Sequence, residues 1–382
     1  MSYTVLARRY RSTSFDEIIG QEAIARTLRN AIEQDRVAHA YLFVGTRGVG
    51  KTSTARVFAK VLNGGDDQEV EAAIMAGGDT DVIEIDAASN RGVDEARGLI
   101  ANSIYRPLRG KYKIYIIDEV HMLTREAFNA LLKTLEEPPE HVKFILCTTE
   151  AHKVPATIQS RCQRFDFRNI STADIAGHLG AIVERESLSA DEDVLHAVAR
   201  LGNGSMRDAL SLLDRLMAAC PAGESLTLAR LQELLGLPDR EVVADIVDAI
   251  AGGDTGTVLE KAQVLLDQGI AQDQLVQTLS ERFRDLLVVA ACGPQTALLD
   301  HGGAWRERTA SQAANFDEAG LVHMIALCER VQQMSRTSST PRVLLDALLV
   351  RLALTEAIAD VAALLKGGDA IPVGAGSSRR KK

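Results

Sequence analysis

What the sequence lacks narrows the field first. Its five cysteines, Cys147, Cys162, Cys220, Cys292 and Cys328, are scattered, odd in number and without a C-x-x-C pair, so neither a disulfide framework nor a zinc site is suggested. No apolar run approaches the length of a membrane span, and the opening Met1-Ser2-Tyr3-Thr4 carries no secretory pattern. A cytoplasmic protein that does not engage the membrane is therefore expected. Excess positive charge is also missing: 43 Lys and Arg against 52 Asp and Glu leave a net −9, which argues against coating nucleic acid by bulk electrostatics but leaves a local basic lining open. What remains is a globular composition, 46% apolar and 25% charged, and 382 residues, room for two or three domains. The one basic run, Arg379 to Lys382, follows a Gly/Ser stretch and reads as a flexible tail over 367–382.

The strongest positive signal is Gly45-Thr46-Arg47-Gly48-Val49-Gly50-Lys51-Thr52, which fits the phosphate-loop pattern G-x-x-x-x-G-K-[ST] at every fixed position. An apolar strand, Ala40 to Val44, precedes it. Ser53 to Leu62 follows at helical spacing, with Val57, Phe58, Val61 and Leu62 on one face. In that context backbone N–H groups curl around phosphate oxygens at a helix N-terminus. Lys51 would reach the β- and γ-phosphates, and the Thr52 hydroxyl would join a Mg²⁺ shell.

Further along, Asp81–Asp86 and Lys113–Ile117 read as strands, the second ending in Asp118-Glu119-Val120-His121. Two carboxylates at a strand's C-terminal edge suit phosphoryl transfer, with Asp118 on the metal and Glu119 on the water. A helix over Thr124–Glu137 stops at Pro138-Pro139, and Val142 to Thr149 is another strand, placing the Thr148 and Thr149 hydroxyls near the water or the γ-phosphate. Strands alternating with helices imply parallel βαβ units, with ligands at the strand C-terminal edges. Arg161 reads as a surface charge or, in a ring of ATPases, as an arginine finger. From Ser171 strands give way to helices at about 172–187, 190–201, 206–219 and 227–236; Arg207, opening the third, is placed to touch the γ-phosphate of its own subunit. After Leu237-Pro238-Asp239 the pattern restarts around Val242–Ile250, with helices at about 255–268, 271–291, 317–335 and 339–365, chemically quiet and suited to oligomerisation.

Together with Leu6–Arg11, Glu84–Asn90, Phe128–Phe144, Ser160–Cys162 and Gly204–Ser211, these motifs resemble the AAA+ clamp-loader ATPases of bacterial replication, the DNA polymerase III gamma/tau family. The resemblance runs through nearly the whole chain. It implies an α/β fold: a RecA-like AAA+ domain over residues 1–170 with a parallel sheet and the phosphate loop, a helical lid over 171–238 and an all-α collar over 239–366. In that family five subunits form an open ring that binds ATP and Mg²⁺, opens the sliding clamp and loads it on primer-template DNA. Nucleotide contacts are carried over to Gly45, Thr46, Gly48, Val49, Gly50, Lys51, Thr52 and Ser53. Thr52 and Asp118 would hold Mg²⁺, and Glu119 the water. Thr149 (or Thr148) would be the first sensor, Arg207 the second, and Arg161 the finger offered to a neighbour. Arg11, Ile18 and Ile19 would form the adenosine wall, and Asn90 and Arg91 would contact the DNA backbone. The expected setting is the cytoplasm, at the nucleoid.

Two departures stand out. Family members usually carry a four-cysteine zinc module after the phosphate-loop helix, whereas Asn63 to Val70 has no cysteine, so zinc is not expected. Ser12 stands where a proline is usual. The chain also ends soon after the collar, like a short form or a truncation. Two other readings compete: a non-catalytic scaffold subunit of the same loader, and another DNA-acting ring motor. Nothing resembles a polymerising carboxylate site, so no synthesis by this chain alone is expected.

Overall fold

The computed structural model describes residues 4–65, 67–89, 98, 105–221, 223–296, 298–299 and 303–354. Two compact units divide the chain, Met1–Leu231 and Gln232–Lys382. The expected break at 170/171 lies inside the first unit.

Five parallel strands form the first unit's sheet: β1 (Ala40–Val44), β2 (Val82–Asp86), β3 (Lys113–Asp118), β4 (Val142–Thr148) and β5 (Gln163–Asp166), in the order β2-β3-β4-β1-β5. Helices cover both faces, so the central strands are apolar nearly throughout. Alternation sorts them. Tyr41, Phe43, Ile114, Ile116, Ile145 and Cys147 enter one core, and Ala40, Leu42, Tyr115, Ile117, Phe144 and Leu146 the other. The sequence expected no strand at 163–166. Only Phe165 of that edge strand is buried, so no apolar run announces it.

The helices before and between the strands are α1 (Leu6–Arg9), α2 (Glu22–Glu33), α3 (Lys51–Asn63), α4 (Gln68–Ala76), α5 (Arg125–Glu136) and α6 (Ala156–Gln159). Thr124 caps α5 by accepting from the Ala127 N–H at 3.2 Å. Next come α7 (Thr172–Arg185), α8 (Glu192–Leu201) and α9 (Met206–Ala219), whose cap is Ser205, and then α10 (Leu228–Leu235). The helix expected after Asp86 lies, apart from Gly98, outside the described residues, as do Asn90, Arg91 and the basic tail.

Asp81 organises the loop that leads into β3. Its buried carboxylate accepts the N–H groups of Leu108, Arg109 and Gly110 at 2.8, 2.7 and 3.0 Å and faces Lys113 at 3.5 Å. Burial pushes this carboxyl up, but the three N–H groups and Lys113 outweigh it and hold it below its usual range. Asp81→Ala is expected to cost about 2 kcal/mol in chemical denaturation. Because the folded value is depressed, the contribution is complete above about pH 4, where the unfolded carboxyl has titrated, and is lost as pH falls through the lower folded value. Equal stability of wild type and variant at pH 7 would remove this role.

The second unit is helical: α11 (Arg240–Ala251), α12 (Thr255–Asp267), α13 (Gln272–Cys292), α14 (Gly303–Ala313), α15 (Glu318–Ser335) and α16 (Pro341–Ala353). The sequence expectation omitted α14. Its inward positions include Thr309 and Gln312, buried and polar, so no apolar stripe marks it. The reason lies on α13, where buried Arg282 donates to Gln312 Oε1 and to Thr309 Oγ1 and stacks at 4.6 Å from the Trp305 ring. Gln312 in turn donates to the Ala244 carbonyl and to Asp248 at 2.8 and 2.7 Å. Burial lowers the Arg282 guanidinium to about 10.

Candidate nucleotide site

Strand register assembles the site. Val44 pairs with Thr148 and Asp86 with Asp118, so the acidic turn after β3 and the hydroxyls ending β4 meet the loop after β1 at one edge of the sheet. That loop then turns into α3 through glycine. Gly50, the N-cap, has φ 100°, a left-handed conformation that a side chain rarely tolerates. Gly48 has φ 80°, and a Cβ there would collide with Ser205 Oγ, the cap of α9. The helix that carries Arg207 therefore begins directly against the phosphate loop.

The loop and its neighbours line a cavity of about 430 Å³, the size of a small-molecule site. Its cations are Arg8, Arg11, Arg47, Lys51, Arg56 and Arg207; its carboxylates are Asp118 and Glu119. Six positive groups against two negative ones fit a polyanion. Gly48 to Thr52 and Ser53 line it from the loop side, Ile18 and Ile19 from the apolar side, and His178, Met206 and Leu210 from the α7 and α9 side.

Lys51 is buried and donates to the Gly45 and Thr46 carbonyls, both at 2.7 Å. Burial lowers its ammonium pKa, while Cys147, Glu119 and Asp118 oppose the shift. Arg11 is lowered as well, by burial and then by the charge of Arg56. Thr52 Oγ1 donates to Asp118 Oδ2 at 2.6 Å, and Asp118 Oδ1 accepts the Glu119 N–H at 2.9 Å. These two oxygen donors at the loop's end fit a hard divalent cation, which takes carboxylate and hydroxyl ligands.

Glu119 has φ 47°, uncommon for a residue with a side chain. Thr149 Oγ1 donates to Glu119 Oε2 at 3.1 Å. Thr148 is buried and faces His121 Nδ1 at 3.0 Å instead. Of the two hydroxyls, then, Thr149 is the one at the acidic residue.

Not every expected residue faces the cavity. Thr46 turns its hydroxyl to Asn169 Oδ1 at 2.6 Å. Arg161 stands apart, its guanidinium on Glu136 at 2.7 Å and on the Thr157 carbonyl at 2.6 Å. Arg56 and His178 carried no sequence signal, and Arg8 and His121 lie in segments the sequence singles out but were given no role there. Arg56 sits among helical positions on α3, and only the folded chain brings it to Glu84, at 2.6 and 2.8 Å, and to the cavity. Arg9 and Tyr10 both bind Glu186 at the end of α7, which fixes the N-terminal segment beside Arg11.

Three family models match the sequence: DNA polymerase III, delta subunit, over residues 20–171; DNA polymerase III clamp loader subunit, ATPase lid domain, over 174–222; and DNA polymerase III subunits gamma and tau domain III, over 226–367. The chain is 40% identical over 366 residues to DNA polymerase III subunit tau of Bacillus subtilis, covering 93% of this chain and 64% of that protein. It is 44% identical over 253 residues to DNA polymerase III subunit gamma of Buchnera aphidicola, covering 63% of this chain and 68% of the relative. The chain thus spans 64% of the length of the Bacillus relative. A solved Thermotoga maritima RuvB Holliday junction branch migration motor aligns with TM-score 0.48 and 19% identity over 63% of this chain and 79% of that one.

Proposed function

The chain belongs to the DNA polymerase III gamma/tau clamp-loader family, with its AAA+ architecture, and from that premise we propose that it is an ATP-hydrolysing motor subunit of the loader. In this reading it joins other loader subunits in an open five-membered ring, grips and opens the sliding clamp, and loads it on primer-template DNA without reading sequence. Residues 1–170 would do the chemistry, 171–238 would form the lid and 239–366 the collar. Asn90 and Arg91 would face the DNA backbone. No described helix is long and apolar enough to cross a membrane, and the work is assigned to the cytoplasm, at the nucleoid.

The observation that carries the proposal is convergence: Lys51, Thr52, Asp118, Glu119 and Arg207 line one cationic cavity. Lys51 and Arg207 would hold phosphate oxygens, while Arg11, Ile18 and Ile19 would bound the adenosine side. Thr52 and Asp118 would hold Mg²⁺, which when bound neutralises phosphate charge. Glu119 orients the attacking water and accepts its proton, and Thr149 steadies the Glu119 carboxylate. A scaffold subunit would need none of these groups. No nucleotide synthesis is assigned to this chain.

Steady-state ATP hydrolysis by the chain with its loader partners, with and without clamp and primed DNA, tests the proposal. Strong stimulation by clamp and DNA together is expected. Turnover indifferent to clamp but driven by branched duplex would favour another ring motor, and ATP binding without turnover a scaffold.

A further inference from the structure

We propose that His121 is a positioning residue for Glu119, fixing the water-activating carboxylate on its turn and tying it to Glu150 on the next strand end. The inference rests on the ATPase reading above. Glu119 needs such support. Its left-handed backbone, at φ 47°, persists only where surrounding contacts over-determine it, and its side chain has several rotors that an efficient base must not use freely.

His121 supplies contacts on both sides. The imidazole is nearly buried, its side chain 6% exposed, with Nδ1 at 3.4 Å from Glu119 Oε2 and Nε2 at 3.3 Å from Glu150 Oε1. Nδ1 also lies 3.0 Å from Thr148 Oγ1, which accepts the Glu150 N–H at 3.0 Å. Glu150 is in turn held by Lys153 at 2.8 Å. The ring therefore sits between the ends of β3 and β4, bonded through Nδ1 to Thr148 Oγ1 with one nitrogen facing each carboxylate, and turning it would lose both approaches. Thr149 and His121 approach the same oxygen, Oε2. Oε1 is left for the water. His121 does not line the cavity, so it acts through Glu119 and not on the nucleotide.

The test measures ATP hydrolysis and ATP affinity of the full chain for wild type, His121→Ala, His121→Asn, His121→Gln and the pair His121→Ala with Glu119→Gln. Because a displacement of about 1 Å can cost about 10²-fold, His121→Ala is expected to lower kcat by about 10- to 100-fold, with ATP affinity within about twofold. His121→Asn, whose amide reaches the Nδ1 position, recovers most of that loss. His121→Gln, which keeps only the Glu150 side, does not. In the Glu119→Gln background, followed by single turnover, His121→Ala has little further effect, because the group it positions is gone. An unchanged kcat, an equal loss in both backgrounds or a parallel loss of affinity overturns the proposal. If His121→Ala fails to fold, the Asn and Gln variants decide: equal activity in the two overturns it. A wild type with no turnover overturns this inference together with the ATPase reading, whereas an active wild type beside an equally active His121→Ala overturns this inference alone.

Discussion

Glu119→Gln is expected to lower ATP turnover by about 10²- to 10⁴-fold, the range that general-base assistance supplies, with ATP affinity nearly unchanged. The amide keeps the shape of the carboxylate and can still contact Thr149, but it has no charge with which to polarise water and no basicity to take its proton. At about 1.36 kcal/mol per decade, the loss falls on the transition state alone. Binding should be spared, because in the proposed site the phosphates fall to other groups that line the cavity, Lys51 from the loop and Arg207 from α9. Single-turnover hydrolysis beside equilibrium nucleotide binding separates the two quantities. Near-normal turnover would remove Glu119 from the chemistry and reassign the water to another base.

Arg161→Ala should act at a distance. Within one chain the Arg161 guanidinium rests on Glu136 and the Thr157 carbonyl and takes no part in lining the cavity. That ion pair is partly exposed, with side chains 34% and 50% accessible, so releasing it costs little. A group cheaply held at the surface is free to be offered to a neighbour. Stabilising transition-state charge in trans is worth about 10³-fold or more, so turnover at the sites Arg161 completes should fall by that factor while ATP still binds. Lysine should not restore it, since the planar fork matches phosphate oxygens and an ammonium does not. The decisive assembly mixes wild-type and Arg161→Ala chains in one loader, where activity should follow the number of intact neighbours. A fully substituted loader that turns over normally would end the assignment.

The parts of this molecule most legible in the sequence are those whose pattern is local. β1, β3 and β4 are apolar runs, the phosphate loop is contiguous, and Asp118 and Glu119 sit together where a strand stops. β5 escaped because an edge strand shows the core one residue, Phe165, and α14 escaped because its buried face is polar. The cavity was half legible. Lys51, Thr52, Arg11 and Arg207 come from recognisable segments, but Arg56 and His178 reach it through packing that no spacing announces. His121 follows the acidic pair by two residues, yet its partner Glu150 lies on another strand end, and only the register of β3 against β4 brings them together.

Arg282 has a consequence for how far the second unit can deform. A guanidinium enclosed by Gln312, Thr309 and Trp305 contributes little net stability, since its hydration was surrendered to reach them. It does impose an all-or-none condition. Sliding α14 along α13 by one helical turn, about 5.4 Å, would strand a cation in the core, at a cost of several kcal/mol, whereas a purely aliphatic seam would only repack. The helices α11, α13 and α14 thus share one permitted register. A block built this way resists the slippage of one helix past another.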